Sequence, residues 1–232
     1  HVCPTQAIRV RNSAPFIVPH LCIGCTACQK ACPEQVYSMD CPDEPPEPTE
    51  NTVLFLPAPL RGQFGGPVSN DALKAALASL GWNTVWMSDP WERALADAVK
   101  RMADEKSSPG PLLPPVCPAI INLIQVRYPS MLRNIAPFLS ALEAAREFLQ
   151  AGNKIFVVPC AALCSLARES SVMHSCTAVS PAWLIRSLTP MINEHAQTQG
   201  CCVGTQDAPT VTITGIDRVC QFLDEAEDGR VN

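Results

Sequence analysis

Cys22, Cys25, Cys28 and Cys32 stand in a single run, Cys22-Ile-Gly-Cys25-Thr-Ala-Cys28-Gln-Lys-Ala-Cys32-Pro33. The spacing C-x2-C-x2-C-x3-C-P is that of a bacterial-type [4Fe–4S] site. Three thiolates at i, i+3 and i+6 can curl round one face of an iron–sulfide group, and soft sulfur donors suit iron that also carries sulfide. Gly24 is expected to let the backbone pass close to the inorganic sulfides, where a Cβ would clash. A zinc knuckle or a disulfide set would also cluster cysteines, but neither explains the x2, x2, x3-Pro pattern.

In two-cluster ferredoxins the fourth Cys of each run, the one before Pro, ligates the other cluster. Cys32 is therefore not expected to complete the set of Cys22, Cys25 and Cys28. The chain opens His1-Val2-Cys3-Pro4, and Cys3-Pro-Thr-Gln-Ala-Ile8 reads as a second copy of Cys32-Pro-Glu-Gln-Val-Tyr37. Cys3, Cys22, Cys25 and Cys28 thus form the expected complete ligand set. Cys32 is expected to face a second cluster whose other three cysteines would lie before residue 1, so the front of the chain reads as cut.

The 232 residues, 47% hydrophobic and 17% charged, have the composition of a globular chain of one or two domains. Seventeen basic and twenty-two acidic residues give a net charge of −5 with no basic block, which argues against nucleic acid as the main partner. No apolar run approaches the length of a membrane span. Thirteen cysteines would suit a secreted disulfide scaffold, but such scaffolds are small and loop-rich. A reducing, anaerobic cytoplasm is the expected setting. The histidines (His1, His20, His174, His195) show no metal-ligand spacing.

The elements that must position these thiols follow in order. Residues 1–40 read as a small α+β ferredoxin-like domain, with Ala7–Val10 and Phe16–Val18 pairing across a turn at 11–14. Residues 41–51 hold four prolines and four acids in the ten from Cys41 to Glu50, a stiff linker in which Cys41 is a bystander. Residues 52–232 alternate strand and helix, which indicates an α/β domain with largely parallel pairing. Strands are expected at Thr52–Leu56, Thr84–Met87, Ile155–Val158, Val211–Thr214 and within 112–116. Helices are expected from Ser69 or Asn70 (Leu73, Ala76, Leu77 and Leu80 on one face), Asp89-Pro90, Ser140, Ser180-Pro181 and Asp217. The turn through Gly62, Gly65 and Gly66 lacks the Lys-Ser/Thr of a phosphate loop, and no G-x-G-x-x-G follows a strand.

Cys117-Pro118 and Pro159-Cys160 each follow a predicted strand. Sites in open α/β sheets form at the carboxyl ends of strands, so two thiols there can converge on one metal centre. They can equally be two small buried hydrophobes.

Val116-Cys117-Pro118-Ala119, Pro159-Cys160-Ala161-Ala162 and Val211-Thr-Ile-Thr-Gly215-Ile216-Asp217 resemble [FeFe]-hydrogenase catalytic domains. The order of ferredoxin module, short linker and α/β domain is similar too, over essentially the whole chain. The likeness is to the divergent branches of that family taken to be sensory. It implies [4Fe–4S] clusters, two in the ferredoxin module of the full protein, and an H-cluster as a further candidate. That centre is a cubane joined through a cysteine to a two-iron unit carrying CO and cyanide. Carried over by position, Cys117 and Cys160 would be its first two cubane ligands. The third motif, Cys-rich and Gly-rich, would fall after Asp217–Glu227, beyond Asn232, so the back of the chain also reads as cut.

The resemblance has departures. Val116 stands where the family's active members carry a proton-relaying thiol, Leu163 where a Lys anchors cyanide, and Ile120 where a Trp stands. These argue against high turnover of hydrogen. The expected function is an iron–sulfur redox protein that relays electrons to a hydrogenase-type centre, for reversible H2 oxidation or slow H2 or redox sensing. Its implied partners are H2 and protons, with a redox protein or a fused sensory or signalling domain. The alternative is a [4Fe–4S] electron carrier whose hydrogenase-like domain is not catalytic.

Overall fold

The computed structural model describes residues 2–64, 68–105, 110–149 and 152–198, with side chains through residue 192. The chain begins with a hairpin. Strand β1 (Ile8–Arg11) pairs antiparallel with β2 (Ala14–Ile17), and the turn residues Asn12 and Ser13 both have positive φ, +49° and +61°. A two-residue turn of that hand matches the twist of the strands it joins. The cysteine run then leads into a short helix, α1 (Ala27–Ala31), entered through Thr26 in the left-handed region.

Strand β3 (Thr52–Leu56) opens the larger unit. Helix α2 (Asn70–Ser79) follows, with the Ser69 hydroxyl accepting from the Ala72 amide at 3.1 Å. Strand β4 (Thr84–Met87) and helix α3 (Asp89–Glu105) come next, then α4 (Pro118–Arg127) and α5 (Ala141–Phe148). The Ser140–Glu143 pair closes the expected reciprocal cap on α5. Strand β5 (Asn153–Val157), helix α6 (Ala161–Glu169), strand β6 (Cys176–Val179) and helix α7 (Ala182–Thr198) complete the described chain.

The four strands β3 to β6 form one parallel sheet in the order β4-β3-β5-β6. Residues on each strand alternate between two cores. Leu54, Leu56, Ile155, Val157 and Val179 pack with α2 and α7, whereas Phe55, Phe156, Val158 and Ala178 pack with α3, α5 and α6. Helices thus cover both faces of a sheet whose strands are apolar on both sides, as parallel pairing requires. The chain steps outward from β3 in both directions, so the topological switch lies between β3 and β5.

Several expectations need correction. Residues 112–116 form no strand; Leu113 makes only an isolated parallel bridge to Ile135, because Pro111, Pro114 and Pro115 remove the donors a ladder needs. Leu80 does not join the buried face of α2: it is the C-cap, 37% exposed, and Gly81 at φ +88° turns the chain away. Helix α6 and strand β6 are elements that the sequence pattern did not announce. The expected strand Val211–Thr214 and helix Asp217–Glu227 lie outside the described residues.

The Pro-rich segment is extended but not free. Ser180 N–H donates to Pro42 O at 2.8 Å and its hydroxyl to Asp43 Oδ1 at 2.7 Å. Arg168 pairs with Asp40 at 2.5 Å, and Cys164 Sγ donates to Asp40 O at 3.4 Å. A proline that cannot donate to a ladder still presents its carbonyl, and Ser180, just before α7, uses that of Pro42. Among the described residues no helix is long and apolar enough to cross a membrane.

Candidate iron–sulfur centre

Cys3, Cys22, Cys25 and Cys28, the four thiols expected to act together, line one cavity of about 90 Å³. The rest of its wall is mainly apolar, with Ala7, Ile8, Ile17 and Ile23 from the first module and Ala161 from α6. Cys32 does not line it. A lone tetrahedral Zn²⁺, with Zn–S of about 2.3 Å, would draw four sulfurs to within roughly 4 Å of one another. Among the described residues no three metal-ligating side chains converge in that way, and the ten described cysteines are all free.

The two Cys-Pro-x-Gln units do share one conformation. Gln6 N–H donates to Cys3 O and Gln35 N–H to Cys32 O, each at 3.2 Å, with φ of +56° and +49° at the two glutamines. Pro fixes the second position of each turn, which the repeated sequence foreshadows. At Cys3 burial raises the thiol's pKa, but contacts to Thr5 and to the Ala7 and Ile8 amides outweigh it and leave the pKa lowered. The Ala7 amide, 3.2 Å from Sγ, is the donor that stays on the sulfur. Thr5 Oγ1 lies 2.6 Å from Leu21 O, to which it gives its one proton. At Cys28 burial pushes the pKa up, and the charges of Cys22 and Cys25 push the same way. Iron held among these three sulfurs would reverse that repulsion.

Gly24 has a contact that its motif does not reveal. A Cβ built on it would lie 2.7 Å from both the N and the Cα of Ala162. The close approach is to the second residue of α6, where the sequence suggested sulfide. The cysteine run therefore docks directly against the helix that Cys160 opens.

Cys160 is the N-cap of α6 and Cys117 the N-cap of α4, and the two helices pack together. Neither sulfur makes a cap hydrogen bond, and both side chains are half-buried. Cys160 follows β5 through Val158 and Pro159 and so stands at the switch point; Cys117 reaches its place from an irregular segment. Among the described residues no third ligand joins them. Val116 and Ile120, beside Cys117, are 56% and 54% exposed, and Leu163 packs on the core under α6.

Two further thiols gain neighbours. Cys164 is buried in the core and Cys41, read as a bystander, packs against that same core. Burial and the adjoining Cys164 thiol push Cys41 up to about 12. Proximity across so long a stretch of sequence leaves no local signal.

No protein-family model matches the sequence, and no curated protein matches it. Among solved structures that match is an apo [FeFe]-hydrogenase, HydA1 from Chlamydomonas reinhardtii, in a cysteine-to-histidine variant. The identity is 14% and the TM-score 0.45, over 74% of this chain and 49% of that one. The chain thus spans about half the length of the hydrogenase it matches.

Proposed function

We propose that the chain is an iron–sulfur redox protein in which Cys3, Cys22, Cys25 and Cys28 hold a [4Fe–4S] cluster. Cys117 and Cys160 would contribute to a second, hydrogenase-type centre beside it. The observation that carries this reading is that the four thiols line one cavity whose wall includes Ala161, the residue after Cys160. When bound, such a cluster supplies reversible one-electron transfer. The chain's own residues set its surroundings. The Ala7 amide steadies the Cys3 thiolate, the buried Ala7 and Ile23 side chains give the cavity an apolar wall, and Gly24 allows the close seat on α6. Output would pass to a redox partner protein or to a fused sensory or signalling domain.

Val116 and Leu163, with no transferable proton and no charge, favour a second reading. The α/β unit would then be a non-catalytic scaffold and the protein an electron carrier alone.

The test is full-length protein made anaerobically with hydrogenase maturation enzymes present. Iron and sulfide content, electron paramagnetic resonance and infrared spectra are then recorded. Cys25→Ser should abolish the signal of one reduced cluster, while Cys32→Ser should leave that same signal in place. Iron content in Cys25→Ser equal to the parent's would overturn the assignment. Carbonyl and cyanide bands would support the second centre; their absence, with a control hydrogenase matured in parallel, would leave the electron carrier.

A further inference from the structure

We propose that Cys41 and Cys164 are a redox-active thiol pair that closes into a disulfide and clamps the 40–43 segment onto α6. The two residues come from distant parts of the sequence into one apolar cluster. Cys164 Sγ lies 3.4 Å from the carbonyl of Asp40, the residue that immediately precedes Cys41. Asp40 in turn is held by Arg168, one turn beyond Cys164, at 2.5 Å. The backbone of one cysteine is therefore fixed beside the sulfur of the other from two sides. Cys41 is half-buried and open to a small reagent, whereas Cys164 is 1% exposed and sits behind it. Cys176 shares the cluster, but its thiol faces His174 O at 3.9 Å, which leaves Cys164 as the pair's second member.

A low-molecular-weight disulfide is the oxidant the pair fits. The Cys41 sulfur, ionised only in small part because burial and the adjoining Cys164 thiol raise its pKa, slowly attacks one sulfur of that disulfide; a mixed disulfide forms and one small thiol leaves with a proton. The Cys164 sulfur then displaces the second small thiol in the same way. Two protein thiols are oxidised to one S–S bond, and one small disulfide is reduced to two thiols. Neither cysteine lines the cavity, so the pair stands apart from the cluster reading. Its closure would nonetheless hold that cavity's wall, since α6 carries both Ala161 and the Ala162 backbone that Gly24 meets.

The test treats the full, folded chain with glutathione disulfide under anaerobic conditions, blocks free thiols by alkylation and maps tryptic peptides. The peptides 31–61 and 155–168 also carry Cys32 and Cys160, so fragment sequencing must assign the linked sulfurs. The expected result is a Cys41–Cys164 link as the main oxidised species, reversed by dithiothreitol, lost in Cys41→Ser and retained in Cys176→Ser. The oxidised parent should also unfold at higher urea than the reduced one, a shift absent from Cys41→Ser. Cys164→Ser removes a buried group and can fail to fold, which is why the half-buried Cys41 carries the test. Recovery of both cysteines as alkylated thiols, their linkage to other cysteines, or equal yield from chain unfolded beforehand would each overturn the proposal.

Discussion

Gly24 shows how one missing Cβ can serve a purpose its motif does not display. Its φ of +67° is a region that costs a side-chain-bearing residue about 1–2 kcal/mol. The added methyl would also meet backbone atoms of Ala162, which no substitution at 162 can remove. Gly24→Ala should therefore lower the urea midpoint, and adding Ala162→Gly should not restore it. A variant with the parent's midpoint would show that the contact yields easily. That Cys22, Cys25 and Cys28 would line one cavity was legible from their spacing along a short segment, and Cys3 joins them through the repeated Cys-Pro unit. The Gly24 contact was not, since its partner lies far along the sequence. The same distance hid the meeting of Cys41 and Cys164.

Among the elements, the hairpin and the helix caps were readable because their determinants are local. Ser140 and Glu143 announce α5 from within its first turn, and the structure closes the bond in both directions. Ser140→Ala should lower stability by about 1 kcal/mol, as loss of an N-cap oxygen does. Equilibrium urea denaturation measures it, and no change would mean that the Glu143–Ser170 bond, 2.8 Å, holds the turn alone. By contrast α6 opens on Cys160 with no capping side chain, and β6 is a four-residue strand, Cys-Thr-Ala-Val. Short apolar segments of this kind suit helix, strand or loop until neighbours choose. The proline-laden stretch before Cys117 failed in the opposite way, looking like a strand although its donors were gone.

At the scale of the molecule, the alternation of strand and helix was enough to give a parallel sheet with two covered faces. Strand order was beyond reach, because it depends on which side of β3 each later strand settles. Phe156 lies fully buried at the centre of that sheet, 5.1 Å between ring centroids from Phe55. Phe156→Ala should cost about 3–5 kcal/mol, a large share of the roughly 5–15 kcal/mol of a whole domain. It should also reduce iron retained on gel filtration, because β5 leads into the helix that walls the cavity. Full retention in a destabilised variant would show that residues 2–40 hold their own centre unaided.

Ala161 in the cavity wall has a consequence for the order of synthesis. The four thiols and most of their wall leave the ribosome within residues 3–39, whereas Ala161, which closes one side, is made more than a hundred residues later. At common translation speeds that interval is on the order of ten seconds. A cluster inserted on the nascent chain would meet water on one side throughout, and insertion after release would meet a finished chamber.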